Sequence, residues 1–335
     1  MFDIINKPLG FIMKLLAELF GGNFAASVFV FTLIINLIML PLSIKSQKSS
    51  VSQMRIKPKL DELKKRYGDD RRKMAQEQQK LYQEEGVSMS GGCLPMIVRM
   101  VLLFSIYYLI LSPLTYMAGA KKDDVKTVTT AINSYVEKHE DAKSELANWD
   151  IKKTRNQELY LVAVIRDDPG KLEKVIGSKQ YSEIKEPYEN IVEKYEESNI
   201  SFNLFGIDLI QTPKFSVDFF SGWQAIWLLP ISAFLAQMLT SIVSMRINKR
   251  INPDAPTMAG LMLTMPIISL IIGFSFPGGV CFYWICSSLI GGAIQSGVQL
   301  LYGPHKLLAR ERVKELSKVC DFEAGQLKKL ETEEE

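Results

Sequence analysis

Apolar and polar positions in this chain are sorted into long blocks. Five runs, residues 24–42, 93–117, 223–245, 258–276 and 280–301, are almost free of charge. Each has about the 17–25 residues that an α-helix needs to cross a hydrocarbon core. The last two are separated by Pro277-Gly278-Gly279 alone, which predicts a helical hairpin. Ahead of them, Phe2, Ile5, Leu9, Ile12, Leu16 and Phe20 recur at helical spacing between Asp3, Lys7, Lys14 and Glu18. That pattern predicts an amphipathic helix lying along the membrane surface, with a longer, tilted first span as the competing reading. No cleaved signal peptide is apparent.

The polar intervals have patterns of their own. Residues 59–66 and 71–85 read as helices broken by Tyr67-Gly68-Asp69-Asp70, so an antiparallel hairpin is expected, with Leu60 and Leu63 facing Met74 and Leu81. Within 118–222, stretches 127–146, 159–165 and 181–195 have helical apolar spacing. The resulting division is an interfacial segment 1–23, a first span 24–46, a cytoplasmic helical hairpin 47–91 and a second span 92–117. An extracytoplasmic insertion 118–222, a span 223–245, a loop 246–257, spans 258–276 and 280–301, and a tail 302–335 complete it. The expected fold class is an all-α polytopic membrane protein with five transmembrane helices.

Charge fixes the orientation of this topology. Net charge is only +3, too small to point to DNA or RNA as the main partner, but its placement is informative. Lys45, Lys48, Arg55, Lys57, Lys59, Lys64, Lys65, Arg66 and Arg71 to Lys73 follow the first run. Arg246, Lys249 and Arg250 follow the third, and Lys306, Arg310, Arg312, Lys314 and Lys318 follow the fifth. With five spans, all three segments fall on one side, the cytoplasmic side by the positive-inside rule. The N-terminus then lies outside and the C-terminus in the cytoplasm.

Covalent chemistry is not suggested. The histidines, His139 and His305, lie outside the apolar runs, and no metal-binding pair, nucleophile elbow or phosphate loop is present. No metal or cofactor is implied, and the chain does not read as an enzyme. Cys93, Cys281 and Cys286 sit in or beside apolar runs and read as small buried residues. The informative residue is Arg99, inside the second run, where a central arginine costs about 2.5–3.5 kcal/mol on insertion scales. Asn36, Gln237, Thr264 and Gln295 lie six to eight residues from the cytoplasmic ends of their own runs. At 1.5 Å per residue, these polar groups and Arg99 share a depth of roughly 9–12 Å. One polar side chain per span at one depth suits a groove open to the cytoplasm, although Gln and Thr near span ends also snorkel or bond neighbouring helices.

Several segments, in order, resemble a known family. Asn36-Leu37-Ile38-Met39-Leu40-Pro41-Leu42 is followed by Met54-Arg55-Ile56-Lys57-Pro58-Lys59, Tyr67-Gly68-Asp69-Asp70 and Gly91-Gly92-Cys93-Leu94-Pro95. Phe276-Pro277-Gly278-Gly279-Val280-Cys281-Phe282-Tyr283-Trp284 comes later. Together they resemble the YidC family of membrane protein insertases over roughly residues 24–117 and 201–301. The resemblance implies a hydrophilic groove open to the cytoplasm, and nascent membrane proteins and membrane lipid as partners. The family's groove arginine falls at Asn36, so the expectation is that Arg99 supplies the charge and Asn36 bonds it. Thr32 matches a groove-side position, and Trp284 an aromatic associated with substrate contact. The ribosome, the targeting machinery and the Sec translocon are further partners the resemblance raises. A small transporter or channel using Arg99, and a receptor acting through 118–222, are the rival readings.

Overall fold

The computed structural model describes residues 3–87, 93–213, 224–251 and 259–303, with isolated positions between 306 and 324. Helices run over α1 Asp3–Leu19, α2 Phe24–Ile38, α3 Leu40–Tyr67, α4 Arg71–Glu84 and α5 Cys93–Leu111. A π-helical turn Leu114–Ala118 follows, then α6 Lys122–Lys138, α7 Ala142–Glu145, α8 Gln157–Asp167, α9 Lys171–Ile176 and α10 Ser178–Ser198. A two-stranded hairpin, β1 Asn203–Leu204 and β2 Ile207–Asp208, precedes α11 Leu228–Ile251, α12 Ala259–Gly273 and α13 Gly278–Leu301. Gly91-Gly92, loop residues 252–257 and the acidic end 331–335 lie outside the described residues.

The chain is predominantly helical, with helices suited to a bilayer. Among the described residues, Ala225–Arg250 and Gly278–Leu301 are each long and apolar enough to cross one. The run expected as one span over 24–46 is interrupted: α2 ends at Ile38 and α3 begins at Leu40. Pro41 has no amide proton to continue a helical ladder and is tolerated in a first turn, which fits a break two residues earlier, at Met39. The run expected to reach residue 117 leaves regular helix at Leu111, just before Pro113. Helix α12 occupies 259–273, shorter than its apolar run.

The chain divides into two compact units. The first comprises residues 1–37, 99–240 and 260–291. A short segment after α10 organises it. Ser201 donates to Gly22 O at 2.8 Å and accepts from Phe24 N at 3.1 Å, at the start of α2. Eight residues on, Leu209 O accepts from Gly279 N at 2.7 Å, and Gln211 O accepts from Gly278 N at 2.8 Å, at the start of α13. Residues 201–211 thus staple two helix N-termini together through backbone donors that the helices themselves cannot satisfy. The glycines permit the close approach. A Cβ on Gly279 would stand 3.2 Å from Ile110 Cγ2 and from Phe24 Cε1, and one on Gly278 would stand 2.9 Å from Leu229 Cδ1. The Phe24 and Phe202 rings are 4.8 Å apart.

Residues 118–213 share this core. Val128, Ile132 and Val136 of α6, Leu161, Val162 and Ile165 of α8, and Ile184, Tyr188 and Ile191 of α10 are buried in one cluster with Leu9 and Met13 of α1, Phe24 and Phe31 of α2, and Leu109 to Leu111 of α5. Helix α1 presents Leu9, Met13, Leu16 and Ala17 inward while Ile4, Phe11, Leu15 and Leu19 remain exposed. Trp149 Nε1 and Gln157 Nε2 both donate to Asn133 Oδ1, at 2.8 and 2.9 Å. Glu158, on α8, caps the Leu114–Ala118 turn: its carboxylate accepts from Thr115 N at 3.1 Å and Thr115 Oγ1 at 2.8 Å. Burial pushes this carboxyl up to about 7 against the pull of those donors.

The second unit comprises residues 38–98, 241–259 and 292–335. Asp70 caps α4 by accepting from Arg72 N and Lys73 N, both at 3.1 Å. A Cβ on Gly68 would stand 2.6 Å from Lys64 O, so the turn takes glycine. The buried apolar residues of α3 and α4 are Val51, Ile56 and Leu81, joined by Val87 just past the end of α4. Leu60, Leu63 and Met74, expected to form the seam, are half-buried and lie nearer the turn. Arg55 and Lys59 of α3 both pair with Glu85 at the end of α4.

Two outcomes test this packing. At Gly22 (φ +82°) a Cβ would lie 1.7 Å from Asn199 O, whereas at Gly21 (φ +59°) it meets nothing within 4 Å. Gly22→Ala is expected to cost more than about 2 kcal/mol and Gly21→Ala about 1 kcal/mol, read as thermal unfolding of the purified protein in detergent. The second outcome concerns Glu158. Its folded pKa lies above its usual 4.5, so the folded state holds the proton more tightly. The stability it contributes is complete below about pH 4.5 and lost as pH rises through 7, up to about 3 kcal/mol. Melting temperatures across pH 4.5–8 should fall for the parent protein and be flatter for Glu158→Gln.

Candidate functional site

The polar residues singled out in the apolar helices are distributed as follows. In the first unit, Thr32 and Asn36 occupy successive turns of α2. Thr32 is buried, and its hydroxyl donates to Val28 O at 2.6 Å; Asn36 Nδ2 donates to Thr32 O at 2.8 Å. The Thr32 hydroxyl proton and one of the two Asn36 amide protons are therefore directed into their own helix. Their oxygens, Thr32 Oγ1 and Asn36 Oδ1, are the acceptors α2 offers outward. A Cβ on Gly291 of α13 would stand 3.2 Å from Asn36 Oδ1, so α13 approaches α2 here through a residue without a side chain.

Gln237 of α11 is half-buried and accepts from Ser269 Oγ of α12 at 2.6 Å. Thr240, one turn on, returns its hydroxyl to Ala236 O and Gln237 O. Thr264 lies on the exposed face of α12. Trp284 of α13 is half-buried and packs edge-to-face on Phe276 at 5.5 Å; Phe276 meets Tyr107 of α5 in the same way at 5.4 Å. The backbone of Arg99 lies in α5, while its side chain, and with it the expected bond to Asn36, falls outside the described residues.

Gln295 belongs to the second unit, where it is half-buried on α13. One turn further, Gln299 is buried and donates to Ser244 Oγ at 3.3 Å, and its Oε1 is left without a hydrogen-bond partner. Lys48 lies over the Tyr302 ring at 5.5 Å. The structure thus brings Thr32 and Asn36 together with Gly291, and Gln237 together with Ser269.

Four polar residues were not singled out from sequence. Ser105 of α5 is fully buried, and its hydroxyl has no hydrogen-bond partner. Ser269 completes the Gln237 pair, and Gln299 and Ser244 form another. A serine in an apolar run is too common a sight to signal its partner, and 32 residues separate Gln237 from Ser269.

Packing varies along the same helices. Phe24, Ala25, Val28, Phe31 and Thr32 form a buried face of α2 opposite the exposed Phe29, whereas from Leu33 to Ile38 no residue is buried and Leu33, Leu37 and Ile38 are exposed. On α5 the order reverses with chain direction: Ile97, Met100, Leu103 and Phe104 are exposed and Ser105 to Leu111 are largely buried. Val280, Cys281 and Tyr283 open α13 in full burial, with Cys281 Sγ 3.4 Å from Gly273 O. Met265, Ile267, Ile268, Ile271 and Ile272 leave α12 with a wide exposed apolar face.

The Gln237–Ser269 bond is open to a double-mutant cycle. Gln237→Leu with Ser269→Ala should show a coupling of about 0.6–1.7 kcal/mol in detergent unfolding, the range for hydrogen bonds between apolar helices.

Comparison with known proteins gives these helices a context. A family profile described as "60Kd inner membrane protein" matches residues 15–165 and 177–302. A Membrane protein insertase YidC from Rickettsia bellii is 26% identical over 289 residues, covering 86% of this chain and 37% of that protein. One from Clostridium perfringens is 36% identical over 120 residues, 36% of this chain and 50% of that protein. The Membrane protein insertase YidC 2 of Listeria innocua is 36% identical over 104 residues, 30% of this chain and 36% of that protein. The chain spans between about a fifth and a half of the length of the curated relatives it matches.

Proposed function

This chain belongs to the 60Kd inner membrane protein family, and on that premise we propose that it is a membrane protein insertase. It moves apolar segments of nascent membrane proteins into the cell membrane and assists their folding, without covalent catalysis or nucleotide hydrolysis. The observation that carries this reading is the gradient of packing along α2 and α5. The dense end surrounds Gly278-Gly279 with Phe24, Ile110 and Leu229; the loose end carries Asn36 on α2 and Arg99 on α5.

In this reading five spans, 24–46, 92–117, 223–245, 258–276 and 280–301, enclose a hydrophilic groove. The stapled end faces outward together with the N-terminus and the 118–222 insertion. The hairpin 47–91, the loop 246–257 and the tail 302–335 face the cytoplasm. Thr32, Asn36, Gln237, Thr264, Gln295 and Trp284 line or flank the groove, and Arg99 supplies its charge. A break at Met39 within the first span suits a helix that must serve both lipid and a wet cavity, because backbone released from the helical ladder needs polar surroundings.

The physical work is a reduction of barrier. A substrate's short polar flank has to cross apolar material, and a groove reaching partway shortens that distance. Arg99 gives acidic flanks a partner in surroundings of lower dielectric than water, where attraction is stronger. The substrate helix leaves along exposed apolar faces such as that of α12, and transfer of its side chains from water drives the last step. Nascent chains and lipid are the partners, with the ribosome, the targeting machinery and the Sec translocon as sources of substrate.

The test is insertion of a short single-span substrate with an acidic flank into liposomes containing the protein, scored by protease protection. Arg99→Ala should lower insertion about tenfold, and Arg99→Ala with Asn36→Arg should recover most of it. Unchanged insertion by Arg99→Ala would remove the charge from the mechanism. No insertion above empty liposomes by folded protein would remove the function.

A further inference from the structure

The hairpin within the 201–211 staple carries an apolar residue for which the fold has no use. Its two-residue loop is Phe205-Gly206, with Asn203 paired to Asp208 and Leu204 to Ile207. Both loop residues have positive φ, +49° and +86°, the signature of a tight turn that favours Asn-Gly or Gly-Gly. A bulky residue there is a conformational outlier. The Phe205 side chain is 99% exposed, so core packing does not explain it. An outlier of this kind points to function.

The tip is firmly mounted. Asn203 Oδ1 accepts from Gly206 N at 2.7 Å, and Arg166 of α8 donates to both carboxylate oxygens of Asp208, at 3.1 and 2.5 Å. Its base is bonded to Gly22 and Phe24 on one side and to Gly278 and Gly279 on the other, at the first residues of two apolar helices. Four residues separate Ser201 from Phe205, at most about 14 Å of extended chain. An interfacial layer about 5–8 Å thick borders each face of the hydrocarbon. The ring is therefore within reach of it. Leu19 and Phe20, also exposed, directly precede the Gly21-Gly22 turn that holds the hairpin base.

We propose that Phe205 is a membrane anchor: its ring enters the lipid interface on the face of the membrane that carries the 118–222 segment. This rests on the spanning topology given above. Lipid fits better than protein, because a specific protein interface takes about 800 Å² from each partner, and the tip offers one fully exposed ring beside the half-buried Leu204 and Ile207, with the polar Asn203 and Asp208 beyond them. A bilayer accepts a single ring. Phe205 thereby fixes the height of the staple, and with it the starts of α2 and α13, relative to the lipid.

The test places p-benzoylphenylalanine at position 205 of the full chain, in vesicles of phosphatidylethanolamine and phosphatidylglycerol. The same probe at Ile271, on the exposed apolar face of α12, reports the spanning topology, and at Glu186, exposed on α10, reports background. Irradiation should add the mass of one phospholipid at 205 and at 271, at least tenfold above 186. Lipid adducts at 271 with none above background at 205, or adducts at 205 to a second copy of the chain, would overturn the anchor and leave the spanning reading standing. Failure at 271 as well would overturn both. Phe205→Asn should melt in detergent at or above the parent temperature; a lower melting temperature would make Phe205 a packing residue and overturn the anchor.

Discussion

The first unit depends on a few backbone hydrogen bonds made by residues 201–211. The donors at Phe24, Gly278 and Gly279 belong to first turns of helices, where no intrahelical acceptor exists. In apolar surroundings each would cost several kcal/mol if left unpaired. Meeting them with carbonyls of one extended segment satisfies the donors and ties α2 to the α12–α13 turn. The ties in turn bring Phe24, Ile110, Leu209 and Leu229 into contact, and only glycine at 278 and 279 leaves space for them.

The same cluster takes in the segment from 118 to 213. Its helices bury side chains in the same cluster as α1, α2 and α5, and Glu158 caps the turn that follows α5. Arg155 adds a second grip, its guanidinium 5.5 Å from the centre of the Tyr108 ring on α5. A segment so placed is part of the same packed core. Cutting it out would uncover Leu114 and Met117, both fully buried, and leave the donors of Thr115 without their carboxylate.

Toward the other end of the same helices the packing opens, and the polar side chains there are conservative in their bonding. Thr32 places its hydroxyl proton, and Asn36 one amide proton, on α2 itself, and Gln237 finds one serine on α12. In the proposed groove, Asn36 would offer its oxygen, whereas Gln237, whose oxygen accepts from Ser269, would offer its amide protons. In the proposed groove, the complementary attraction for acidic flanks falls to Arg99.

Much of this was legible in the order of residues. Period-3.6 spacing marked α1, apolar length marked α11 and α13, and Tyr67 to Asp70 marked a turn because Asp caps and Gly permits close approach. Those features are local, and local chemistry decides them. The polar candidates were equally visible as residues, since a charge or amide in an apolar run is conspicuous wherever it points. Their partners were not. Which serine meets Gln237, that Asn36 turns one oxygen toward Gly291, and that Gly278-Gly279 serves Leu209 are matters of contact between segments far apart in the chain. So is the burial of Glu158, which precedes the apolar stretch 159–165 without any local sign of what its carboxylate faces. Helical period says where a side chain sits on its own cylinder; only packing against other cylinders, under the demand that every buried donor find an acceptor, decides what it touches.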